Sequence, residues 1–286
     1  TTELWPITRK NFMALVYRIH YSLVLGDFGL WLFGIAAFFW TLDCFVGVYL
    51  TFPKRSASRG VLRQTVPRSW WSRWLVAWKL KWRSSPRRFN FDLHRVLGLW
   101  PWLLLLVFAW SAVYFNLPDQ VYKPVMHAAF GMEDPIALRP TKEQDAAASP
   151  MNWRSAHTIG RRLVNEQTRI HGFRIRREQL LSFDRDRHLF RYDVLSDRDV
   201  SERWGSTGVA FDATSGAFVA LSMPTGQSRG RTITNWITAI HTAGLWGRPM
   251  QILVSTVGLA VAGLSVTGVR IWLQKRRTLR AARATR

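Results

Sequence analysis

Three stretches of the chain are apolar almost without interruption, and each is long enough to cross a bilayer as a helix. About 20 residues cover a hydrocarbon core of roughly 30 Å. The stretches are residues 28–52, 96–117 and 249–273, with Asp43 inside the first, Arg270 inside the third and no charge in the second. All lie too far inside the chain, and run too long, to be a signal peptide. Residues 12–25 are also apolar apart from Arg18 and His20, which predicts a lead-in helix within residues 1–27 that bends near Gly26. Between the second and third runs the pattern changes. Residues 153–168 place Ile159, Leu163 and Val164 on one helical face, and strand-like segments follow at 179–183, 188–195, 207–211 and 217–221. The loop Asp212-Ala-Thr-Ser-Gly216 joins the last two as a hairpin, and residues 141–150 read as a linker. The expected fold is an α-helical membrane bundle with three spans in this chain and a small α+β domain, one helix on an antiparallel sheet, held outside the membrane.

Charge orients this arrangement. The 286 residues carry 40 Lys+Arg against 18 Asp+Glu, a net +22. Eleven of the basic residues lie in residues 53–88 and seven in 270–286, with no acid in either stretch, whereas residues 118–248 hold 18 basic and 14 acidic residues. Short cytoplasmic loops are the ones enriched in Lys and Arg. The loop 53–95 and the tail 274–286 are therefore expected in the cytoplasm, and residues 1–27 and 118–248 outside. Positive charge that flanks membrane spans argues for contact with membrane lipid and against a nucleic-acid partner. Within the basic loop, Trp70, Trp74, Trp78 and Trp82 recur every fourth residue, which predicts an in-plane helix with an indole stripe at the headgroups; the alternative is a packed connector.

A single cysteine excludes a disulfide framework, cysteine-built iron–sulfur or zinc sites and covalent haem attachment. Phosphate-binding glycine loops, zinc-protease motifs and the G-x-S-x-G elbow are missing too. The informative residues are histidines. His20 and His241 each lie within about two turns of the outer end of a span, and those two spans run in the same direction. His94 precedes the oppositely directed second span and so sits at the inner face. Gly26, Gly98 and the pair Gly244/Gly247 stand near these histidines. Bis-imidazole ligation of one b-type haem near each face fits this placement, because a macrocycle needs small residues beside it. The bland alternative is that interfacial histidines only reach toward water. His127 is an alternative outer ligand or a surface residue, while His157, His171 and His188 have no metal-ligand spacing. Asp43, an acid inside a span, serves a proton route or a local capping bond.

Asp92-Leu-His-Arg-Val-Leu-Gly98, Ile240-His-Thr-Ala-Gly244 and Thr267-Gly-Val-Arg-Ile-Trp272 resemble the span-opening and span-closing motifs of the PepSY-associated transmembrane family, and residues 153–221 are similar to its small PepSY unit. The resemblance covers nearly the whole chain and implies an inner-membrane haem b protein of the FoxB-type siderophore-iron reductases. Such an oxidoreductase would take electrons from a quinol or a cytoplasmic donor and reduce a ferric siderophore in the periplasm. It implies haem ligation by His20, His241 and His94, with about two haems per intact protein. It also implies a fourth, His-bearing span upstream of these residues that would supply the partner of His94. The alternative of another class is a non-enzymatic PepSY-type regulator, or a module that binds a peptide or a protease.

Overall fold

In a computed structural model of the chain, which describes residues 7–53, 69–132 and 149–284, the lead-in and the first apolar run form two helices, α1 (Phe12–Ser22) and α2 (Gly26–Thr51). The chain reverses between them through left-handed backbone at Leu23 (φ 52°), Val24 (φ 62°) and Gly26 (φ 58°). Only glycine adopts that region without strain. At Gly29 a side chain would run into the Ser22 carbonyl, so α2 leaves directly against the end of α1. The buried face of α2 is made of small residues, Gly34, Ala37, Thr41 and Cys44, and packs on α5 (Trp102–Asn116); Phe28, Phe39 and Leu50 are exposed on its other sides.

The second apolar run departs from its expected form. Instead of one straight helix over 96–117, α4 (Pro86–Leu99) and α5 meet at a bend of 67°, and the pair can still be one broken span. The cause is Pro101, which has no N–H to donate and whose ring crowds the carbonyl four residues back. The third run does form one helix, α9 (Gly247–Ala284), apolar enough to span as far as Arg280. Among the described residues the protein is therefore mostly helical, with two helices long enough to cross a membrane, or three spans if the bent pair is one.

The tryptophan repeat is not one continuous helix. Residues Trp70–Trp74 make a single short helix, α3, a 3₁₀ turn follows over Leu75–Trp78, and Lys79 is extended. Trp70 and Trp74 pack on Phe52 with ring centroids 5.4 and 5.5 Å away, the Trp74 indole donates to Thr51 Oγ1 (2.9 Å), and Trp82 turns toward Phe89 (6.0 Å). These indoles fasten the connector to the ends of α2 and α4. The intervening residues 54–68, and most of the expected linker at 141–150, lie outside the described residues.

The chain divides into two compact units, one of Thr1–Asn116 with Ile252–Arg286 and the other of Leu117–Gln251. The second unit contains a π-helical turn (Pro118–Tyr122), α6 (Lys123–Phe130), α7 (Trp153–His171), four strands and α8 (Arg229–His241). Strands β1 (Ile175–Asp184), β2 (Leu189–Ser196), β3 (Thr207–Asp212) and β4 (Phe218–Ser222) form an antiparallel meander in sequence order. The register sets Phe190 opposite Phe211 and Tyr192 opposite Val209. Onto that face α7 lays Ala156, Leu163 and Val164. Gly160 lets it come close, since a Cβ there would stand 2.7 Å from that of Tyr192. The predicted hairpin closes as expected: Asp212 Oδ1 accepts from the amides of Thr214 and Ser215, and Gly216 takes φ 71°.

Candidate functional site

The first unit encloses a cavity of about 550 Å³ between α2, the α4–α5 elbow and α9. That volume falls in the range of cofactor and small-molecule sites, ~300–1,000 Å³. Its walls are mainly apolar, with Trp40, Leu99, Trp102 and Leu264 among them, and the chemistry on the walls is supplied by His94, Asp43, Arg95 and Cys44. Two glycines, Gly47 and Gly98, line it; a Cβ at Gly47 would meet nothing within 4 Å.

How His94 is held can be followed bond by bond. Its Nδ1 lies 2.9 Å from Thr267 Oγ1. The Thr267 hydroxyl has a single proton, which is committed to its own helix, 2.6 Å from the Gly263 carbonyl and 3.1 Å from that of Leu264. The hydroxyl oxygen can then only accept, which assigns the Nδ1 proton to the imidazole and leaves Nε2 as a lone pair. This is the tautomer a metal-ligating histidine needs, with the second nitrogen fixed by a hydrogen bond. A Cβ at Gly268 would come 3.3 Å from His94 Cε1, and one at Gly263 2.8 Å from Leu97 Cδ1, so small residues on α9 admit the ring and its neighbour.

Beneath His94, α4 carries an ion triad built on a buried carboxylate, with Arg95 partly and Arg88 about half exposed. Asp92 is fully buried, with Arg88 Nε 3.1 Å from Oδ2 and Arg95 Nη2 3.0 Å from Oδ1. Arg95 also donates to the Ala77 and Lys79 carbonyls at 2.8 and 3.2 Å, tying the tryptophan connector to α4. On the far wall the Trp102 indole donates to the Cys44 carbonyl (2.8 Å), joining α5 to α2. Asp43 lines the cavity, and the nearby Thr41 hydroxyl donates to the Ala37 carbonyl of its own helix.

The other expected site residues are dispersed. His20 lies in the last turn of α1, exposed, within the first unit. His241 ends α8, half-buried, and His127 is exposed on α6, both in the second unit. His188 contacts Thr214 Oγ1 at 3.0 Å, and His171 is exposed at the end of α7. His157 Nε2 is 3.3 Å from Glu178, which Arg161 also approaches at 3.0 Å. The Glu178 carboxyl is held below its usual range, first by the nearby Tyr192 hydroxyl and then by His157 and Arg161. No group of three or more His, Cys, Asp or Glu side chains that could hold a metal ion occurs among the described residues. Two residues escaped sequence reasoning, Thr267 and Asp92. Both stand in the quoted motifs; Asp92 is in helical step with Arg88 and Arg95, a spacing the sequence shows, whereas no local spacing ties Thr267 to His94.

Among curated proteins none matches the chain. The family model described as the PepSY-associated TM region matches residues 2–275. A match over nearly the whole length, on a chain whose helices can span a membrane and whose remaining unit carries a small antiparallel sheet, places this membrane protein in the PepSY-associated TM family.

Proposed function

We propose that the protein is an inner-membrane haem b oxidoreductase of the FoxB type, which carries electrons across the membrane and reduces ferric siderophores on the periplasmic side. The observation that supports it most is the His94 imidazole, held in the Nδ1–H tautomer by Thr267 on the wall of a 550 Å³ apolar cavity. A haem supplies a one-electron carrier when bound. His94 would ligate it through Nε2, Thr267 would keep the ring oriented, Gly47 and Gly98 would leave room beside the macrocycle, and the walls would offer it a mainly apolar surface. A second haem, near the outer face, rests on the sequence positions of His20 and His241 alone. The distribution of Lys and Arg supports a cytoplasmic tail and an outer sheet domain. Reducing iron to Fe(II) weakens its hold on hard oxygen donors, so the metal leaves the chelate.

The test starts with the purified full chain. Oxidised and dithionite-reduced spectra should show a b-type signal with bis-histidine character, weakened in His94→Ala. Anaerobic mixing of the reduced protein with a ferric siderophore and a ferrous trap should reoxidise the haem as the ferrous complex forms. A colourless protein would return the chain to the regulator or peptide-binding reading.

A further inference from the structure

On the side of α4 away from the cavity, a second hollow of about 470 Å³ runs between α4 and α9. Phe89, Leu93, Gly263 and Val266 make its apolar walls, and Asn90 and Arg270 are its polar members. Asn90 is 94 % buried, since its exposure is 6 %. Its Nδ2 donates to the Thr267 carbonyl at 3.2 Å, which fixes the amide's orientation, and its Oδ1 has no hydrogen bond among the described residues. That oxygen is not one of the buried atoms left without a partner; it is accessible from the groove, where it can accept from a ligand that donates.

Thr267 links the two hollows. Its carbonyl holds Asn90 in the groove, while its hydroxyl holds His94 at the cavity, 2.9 Å from Nδ1. A ligand seated on Asn90 would thus stand one residue away from the group that orients the imidazole.

We propose that this groove binds the hydroquinone headgroup of a membrane quinol and is where electrons enter toward His94, an inference that rests on the function proposed above for the electrons' destination. The donor–acceptor chemistry selects this occupant. A hydroquinone O–H donates to Asn90 Oδ1, and the ring's other oxygen accepts from the Arg270 guanidinium. A phospholipid phosphate offers acceptors only; it would satisfy Arg270 and leave Asn90 unmet. The apolar walls suit an isoprenoid tail, and Val266, 56 % exposed, opens the groove on its outer side. The balance closes on the acceptor already named: both O–H bonds of the hydroquinone break, two electrons reduce two ferric siderophores to the ferrous state, two protons leave to water, and a quinone remains.

Two readouts on the full chain test it. Anaerobic native mass spectrometry of the dithionite-reduced protein with decylubiquinol should show one molecule bound to the wild type, its affinity at least tenfold weaker in Val266→Trp, which fills the groove from its exposed side, and in Asn90→Leu. Stopped-flow reduction with decylubiquinol should slow at least tenfold in both variants, while reduction by dithionite and reoxidation by the ferric siderophore keep their wild-type rates. Wild-type binding and quinol-driven reduction in Val266→Trp would overturn the groove and leave the haem function standing, as would a wild-type haem that quinol does not reduce. A bound phospholipid lost in Val266→Trp, with quinol rates unchanged, would make the groove a lipid site. Quinol binding at the groove by a protein without haem would sink the function and the donor role together while retaining the site.

Discussion

His94 and Thr267 meet at 2.9 Å across 173 residues of sequence, and the bond runs from the imidazole to the hydroxyl because the hydroxyl's own proton is spent within α9. Removing the acceptor should therefore free the ring without removing the ligand. On the haem-ligating role proposed for His94, Thr267→Val is expected to weaken haem binding by about 10–100-fold, the usual effect of losing a histidine's outer partner. Thr267→Ser, which keeps the hydroxyl, should retain most of it. Soret titration of the two variants checks the difference.

The Asp92 carboxylate should matter more to folding than its absence from any catalytic set suggests. Asp92→Ala leaves Arg95 half-buried beside the connector without its counter-charge. Breaking a buried pair in this way is expected to cost about 3–5 kcal/mol. Asp92→Asn, which keeps a hydrogen-bond acceptor, should lose less. Thermal melts in detergent, followed through the tryptophans of the connector, would show both the size and the order.

In the sheet domain, Gly160→Ala puts a methyl group 2.7 Å from Tyr192 Cβ, the root of that side chain and not its flexible end. Overpacking of this kind is expected to destabilise by about 1–3 kcal/mol. Hydrogen exchange should find α7 less protected in the variant, with the spans unaffected.

Two carboxyls in that domain give opposite pH slopes. Glu178 is held below its ordinary value of 4.5, foremost by Tyr192, so its contribution is present above that value and fades as pH falls through the lower folded one. Asp193 is pushed up by burial, against the pull of Arg191, so its contribution is present at low pH and fades as pH rises through the folded value. Because Glu178 is part-exposed, its share is expected to stay below about 1 kcal/mol. Unfolding of the full chain between pH 3 and 6, roughly the carboxylate range, should lose its acid-side decline in Glu178→Gln and the opposing slope in Asp193→Asn.

The sheet domain was largely legible in the sequence. Its strands alternate around turn residues such as Asp212 and Gly216, and α7 has its apolar residues in one stripe, so local pattern and tertiary role coincide. The membrane part was less so, because hydropathy reports how apolar a run is and not whether its backbone is continuous. Pro101 stood in plain view inside an uncharged run, and the run hid the bend. The tryptophan repeat misled for the opposite reason: a helical spacing held where the indoles' partners, Phe52, Thr51 and Phe89, lie on other segments. His94 was legible as a candidate from its place at a span's end. Its cavity was not, since α9 reaches it from more than 150 residues beyond α2 and α4–α5.

The elbow at Pro101 has a consequence for the lipid around the protein. Alone, the 15 residues of α5 rise about 22 Å, short of a hydrocarbon core of about 30 Å. The shortfall is met either by α4 lying obliquely at the interface or by local thinning of the bilayer. An oblique segment changes its tilt when membrane thickness changes, and here that segment carries His94. The acyl-chain length of the host membrane thus becomes a handle on the angle between α4 and α5. Spin labels on the two helices, compared in short- and long-chain nanodiscs, would measure it as a change in distance.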